Sequence, residues 1–173
     1  MRSIIRLAAV FAVAFAGMTL WVPPAAANTK VTTVFHVDQT FPRERKTCGF
    51  PIRVHFFGSY RSTDYFDNTG FLYKTIITAG GGGRFSITWT ANDTTLTMQM
   101  ESAQVVVTYN RDGSIDTSTD NGIVAKFTTP GGGIVLLDAG RVTFDVSDGS
   151  ILFEAGPHQQ LHGDVQEFCA AFG

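Results

Sequence analysis

Charge is scarce in this chain, and cysteine is scarcer. Lys, Arg, Asp and Glu together make up 16% of 173 residues, with 13 basic residues against 15 acidic and a net charge of −2. That balance excludes a strongly basic nucleic-acid binder. Two cysteines are too few for a disulfide-dense scaffold and lack the short Cys-x-x-Cys spacing of a zinc or redox site. No Gly-x-Ser-x-Gly nucleophile turn and no His-Glu-x-x-His pair occurs. Gly80 to Arg84 is glycine-rich, but no Lys-Ser/Thr follows and a strand comes next, so it is not a phosphate loop. Beyond residue 27 no apolar run is long enough to span a bilayer. No metal or cofactor is expected.

What is present is apolar and aromatic: 44% hydrophobic residues, 15 Phe and 18 Gly. Such a composition folds, and its length suits one domain. The first segment reads differently. Arg2 and Arg6 precede the uncharged apolar run Leu7–Val22, Pro23-Pro24 break it, and Ala25-Ala26-Ala27 offers a small-residue cleavage site. Residues 1–27 are therefore expected to be a cleaved secretory signal, and 28–173 a single β domain outside the cell. With two Arg and no acid removed, the mature part carries 11 basic and 15 acidic residues, net −4. A mildly acidic surface argues against steering toward phosphate polymers or anionic lipid. Export also places Cys48 and Cys169 where disulfides persist, so one bridge between them is expected.

Period-2 alternation dominates the mature chain. Phe85, Ile87 and Trp89 share one face of 84–90, with Arg84, Ser86, Thr88 and Thr90 opposite. Similar patterns mark 95–100, 104–109 and 141–146, and further strands are expected at 31–37, 52–58, 59–65, 71–79, 122–128, 134–138 and 150–155. Turn chemistry falls between them at Asn68-Thr69-Gly70, Asn92-Asp93, Asn110 to Gly113, Asp120-Asn121-Gly122 and Asp148-Gly149. A helix is expected only at 163–172, capped by Asp164, with Val165, Phe168 and Phe172 at helical spacing. The fold class is thus all-β: an antiparallel meander closed as an up-and-down barrel, or alternatively a two-sheet β-sandwich, with a short C-terminal helix.

Several segments resemble one family. Cys48-Gly49-Phe50-Pro51 leads into a strand carrying His55. Thr88-Trp89-Thr90-Ala91-Asn92 ends another, and Asp112-Gly113-Ser114, Gly131-Gly132-Gly133 and Gly140-Arg141-Val142 follow. Gly163-Asp164-Val165 and Phe168-Cys169-Ala170-Ala171-Phe172 close the chain. Over about residues 45–173 this order is similar to an uncharacterised family of small secreted actinobacterial β-proteins, departing at Asn92-Asp93-Thr94. The resemblance implies secretion, a β fold and the same Cys48–Cys169 bridge, and it carries no catalytic residue.

Candidate sites are few. His158 and His162, four apart with Asp164 nearby, have the types of a metal set, but Gly156-Pro157 and Gly163 make that segment an exposed loop first. Arg53, His55, Arg61, Asp64 and Asp67 form a polar set expected on neighbouring strands, with His55 opposite the Ile52, Val54 and Phe56 face. Carboxylate pairs could arise from Asp64, Glu101 or Glu154. Asn92-Asp93-Thr94 matches a glycosylation sequon but is a turn first. Tyr60, Tyr65, Phe66, Phe71 and Tyr73 gather around a turn and could rim a binding mouth. The function expected is non-catalytic binding of a small apolar ligand or cell-envelope component, with Trp89, Tyr109 and His55 as the ligand-contacting residues. The alternatives are a motif-poor barrel enzyme of cyclase or isomerase type and a surface interaction module.

Overall fold

The computed structural model describes residues 29–44, 47–79, 85–100, 102–129 and 131–173. The expected signal segment 1–27, the Gly80–Arg84 stretch and Glu101 lie outside them. Nine strands run antiparallel: β1 Lys30–Glu44, β2 Ile52–Phe66, β3 Leu72–Ala79, β4 Phe85–Ala91, β5 Thr94–Gln99, β6 Gln104–Tyr109, β7 Ile115–Thr128, β8 Ile134–Asp145 and β9 Ile151–Ala155. Two short helices follow, α1 Gln159–His162 and α2 Gln166–Ala170.

The pairing register explains how the meander is built. β3 and β4 lie end to end along one side of β2, with Tyr60 opposite Ala79 and Gly58 opposite Phe85. β5 and β6 lie end to end in the same way along β4 and β3, and both then pair with β7. Each couple is one long strand interrupted at its middle. The two interruptions leave β2, β3, β6, β7, β5 and β4 hydrogen-bonded in a ring. β1 flanks β2 on its other side, and β8 and β9 continue beyond β7.

Except in β1, which runs unbroken past Gly58 at Val37, the strand lines are interrupted or kinked at one level of the sheet. Gly58, Gly122 and Gly140 sit there at φ 120°, 85° and 112°, Gly156 follows β9 at 106°, and Ser102 adopts φ 61°. Gly122 pairs with Gly140. A Cβ on Gly122 would overlap the Ser102 carbonyl, and one on Gly140 would overlap the Ala155 carbonyl, so backbones approach here more closely than any side chain allows. The outcome is a transverse crease. It corrects the sequence reading at three places: 52–58 and 59–65 are one strand, 134–138 and 141–146 are one strand, and Asp120-Asn121-Gly122 is not a turn but the middle of β7. Positive φ serves a kink inside a strand as well as a turn between two.

Below the crease the sheet wraps a core of Ile52, Val54, Phe56, Ile87, Trp89, Ala91, Leu96, Ala125, Phe127 and Leu136, closed by Phe168 and Phe172 at the C-terminus. Phe168 is the hub, with ring centroids 4.9 Å from Phe127, 5.2 Å from Phe172 and 5.5 Å from Trp89. Burying each of these rings stabilises by roughly 1.5–3 kcal/mol, and each aromatic pair adds about 0.5–1.5. Cys48 and Cys169 are bonded, Cα atoms 5.4 Å apart, and fasten α2 over this end. The expected helix 163–172 is shorter than its pattern, and Val165 rather than Asp164 stands at its N-cap without a side-chain hydrogen bond. The disulfide, with no helix among the described residues long and apolar enough to cross a membrane, is compatible with a secreted protein.

Candidate functional site

Alternation along β2 fixes which side chains meet. Ile52, Val54 and Phe56 enter the core, so Arg53, His55, Phe57 and Ser59 project from the opposite face. β1 brings its own alternate residues beside them, His36 opposite Ser59 and Asp38 opposite Phe57. Two hydrogen-bonded pairs result. Asp38 Oδ1 accepts from His55 Nε2 at 2.8 Å, and Ser59 Oγ lies 2.8 Å from His36 Nδ1. Between them Phe57 is 56% exposed, its ring 6.2 Å from that of His55. His36, Val37, Asp38, Phe57, Gly58 and Ser59 line a groove of about 410 Å³ at the crease.

The chemistry of these pairs favours binding over bond breaking. A serine hydrolase needs one imidazole held by a carboxylate on one nitrogen and facing the serine with the other. Here the serine contacts His36, whereas the carboxylate orients His55. The two halves of such a device sit on different histidines, on an open sheet face. What the groove offers is an aromatic platform flanked by a carboxylate, two imidazoles and a hydroxyl.

A second polar constellation lies on the core side of the crease. The His158 backbone forms an isolated antiparallel β-bridge with that of Asp138, and the residue is only 4% exposed, its Nε2 3.3 Å from the Ala155 carbonyl. This corrects the exposed-loop expectation. Pro157 prevents the loop from carrying its own N–H there, and its carbonyl instead accepts from Ala139 N at 2.8 Å, drawing His158 inward. Asp138 accepts the Gln160 N–H at 3.0 Å and so holds the start of α1. Burial pushes the Asp120 carboxyl up to about 6, helped by the like charge of Asp138 and opposed by His158. Burial raises Asp138 as well, opposed by the Gln160 N–H and by His158. His162 turns away to Glu154 rather than toward His158, and no cluster of three metal-ligating side chains forms among the described residues.

The three residues expected to contact a ligand are dispersed. Trp89 is 5% exposed inside the core, against Phe127 and Phe168, with its Nε1 unpartnered. Tyr109 is beyond the crease on the core side, its hydroxyl donating to Thr75 Oγ1, which donates in turn to Asp64 Oδ1. His55 is on the opposite face. The expected polar set divides too: Arg53, His55 and Arg61 leave one face of β2, Asp64 leaves the other, and Asp67 caps the following turn through Thr69 and Phe71. Of the turn aromatics, Tyr60 stacks on Phe35 at 5.2 Å, Tyr65 lies under Lys74 and Phe71 under Arg111. Sequence reasoning missed His36, Asp38, Phe57 and Ser59, because their meeting depends on a register between strands that no local pattern carries. Asp120 and Asp138 were missed for the same reason. No protein-family model, no curated protein and no solved structure matches this chain.

Proposed function

We propose that this is an exported, non-catalytic recognition domain that holds a ring-shaped component of the cell envelope in the groove between β1 and β2. One observation carries the reading: Phe57, a large apolar side chain, stands exposed between two hydrogen-bonded polar pairs. An aromatic face beside a carboxylate, imidazoles and a hydroxyl suits a sugar ring, which stacks its C–H face and donates its hydroxyls. The expectation of a small apolar ligand inside the fold finds less support, since aromatic side chains fill the described core below the crease.

The test is a titration of chitooligosaccharide into isotopically labelled protein. Amide and side-chain shifts are expected to cluster at His36, Asp38, His55, Phe57 and Ser59, and Phe57→Ala is expected to abolish them without lowering the melting temperature. Shifts confined to other surfaces, or shifts that survive the substitution, overturn the reading.

A further inference from the structure

β1 is an edge of the sheet, and it carries few of the features that keep an edge to itself. Among the described residues it pairs with β2 alone, and from Lys30 to Phe41 the pairing has no register shift. Residues 31–37, Val-Thr-Thr-Val-Phe-His-Val, contain no Lys, Arg, Asp, Glu, Pro or Gly, and Val34 is 42% exposed. Edges are ordinarily blunted by charge, proline, bulges or brevity. The other edge is blunted in that way: β9 exposes Ile151, Leu152 and Phe153, but it has only five residues and a register shift against β8.

One hydrogen bond fixes which backbone groups of β1 face outward. Phe66 N–H donates to the Thr29 carbonyl at 2.8 Å, and these two residues extend the register that sets Lys30 opposite Tyr65. Bonded pairs alternate in an antiparallel ladder, so the odd-numbered residues of β1 turn N–H and C=O toward β2. Lys30, Thr32, Val34, His36 and Asp38 turn theirs to the open edge. Their side chains share the face of Phe57 and Ser59, whereas Val31, Thr33, Phe35 and Val37 lie on the core side.

This row is its own complement. Laid antiparallel on a second copy with Val34 opposite Val34, it sets Thr32 opposite His36 and Lys30 opposite Asp38, twice each. On the core side Val31 meets Val37 and Thr33 meets Phe35. The five outward residues of each copy then exchange about ten hydrogen bonds. A slide by one residue would mismatch the faces. A slide by two would place Lys30 against Thr40 or His36, so charge selects the alignment.

We propose that β1 pairs with the β1 of a second copy in this register, joining two sheets into one across a twofold axis. Assembly stops at two, because pairing consumes the long edge and leaves only the short, bulged β9 edges. An unrelated extended peptide fits less well: Lys30 and Asp38 bracket the row with opposite charges, which the same strand reversed satisfies at both ends. The inference does not rest on the groove. Pairing uses backbone at the edge, whereas the groove is built from side chains over β1 and β2; His36 and Asp38 belong to both.

Sedimentation equilibrium of the exported protein over a range of concentrations decides the matter. The wild type is expected to dimerise reversibly. Val34→Pro removes an outward N–H that β2 does not use, and is expected to be monomeric at an unchanged melting temperature. Lys30→Asp and Asp38→Lys each set like charges opposite one another twice, and each alone is expected to dimerise about 10-fold more weakly. Mixed together, the two are expected to form heterodimers at wild-type affinity, a rescue that a folding defect would not give. Phe57→Ala is expected to leave the dimer intact, which separates this edge from the groove. A wild type monomeric at every concentration, a dimer undiminished in Val34→Pro, no rescue on mixing, or a dimer lost through Phe153→Asp but kept in the β1 variants each overturns the proposal.

Discussion

Replacing Asp120 with Asn tests the buried end of the crease directly. The carboxyl titrates at about 6 in the fold and at 3.8 when unperturbed, because burial disfavours its charged form. The folded state therefore binds more protons than the unfolded state between those two values. Stability falls as pH rises through that window and stays low above it. A shift of about two units corresponds to about 3 kcal/mol at 1.36 kcal/mol per unit. Asp120 keeps partial contact with solvent, so screening reduces the expected effect to about 1–3 kcal/mol. Asn keeps the size and removes the charge. Urea denaturation near pH 7.5 is expected to find Asp120→Asn more stable than the wild type by that amount, and near pH 3.5 the gap is expected to close. Comparing the two proteins at each pH cancels Asp67, whose carboxyl is held down to about 2, mainly by the Thr69 hydroxyl, and whose contribution is lost only as pH falls below 3.8. A variant less stable at pH 7.5, or a gap of equal size at both pH values, would refute the reasoning.

Two further outcomes follow from the core and the crease. Removing the bridge with Cys48→Ser and Cys169→Ser frees a loop with a sequence separation of 121; the chain-entropy model gives about 5 kcal/mol, and a loss of about 2–4 kcal/mol in denaturant midpoints is expected. No loss on reduction would mean that α2 docks without its fastening. Gly122→Ala and Gly113→Ala share nearly the same φ, 85° and 86°, but only the first meets a backbone carbonyl. The Gly113 variant is expected to lose about 1–2 kcal/mol for left-handed backbone alone, and the Gly122 variant clearly more. Equal losses, read from thermal unfolding, would remove the close approach at the crease.

The strands were legible because alternation reports one face at a time. Phe85, Ile87 and Trp89 do enter the core, and the paired cysteines do meet. Strand continuity was not legible. Gly58, Gly122 and Gly140 carry the same local signature whether the chain reverses or merely bends, and only pairing with the neighbouring strand decides between them. The segment around His158 failed for a related reason: Gly156 and Pro157 look like loop residues, yet the Pro157 carbonyl completes the pairing with β8. The groove was invisible in principle, because it needs side chains from two strands brought together by their register.

The crease divides labour along single strands. β2, β7 and β8 are each rooted in aromatic packing below it and extend beyond it as part of a platform that contributes no member to the core cluster. Such a strand is a cantilever: load applied to the outer span is carried through a bend of bare backbone to a clamped foot. Residues on that span can therefore change for recognition with little penalty to the clamp, whereas the glycines at the bend have no substitute.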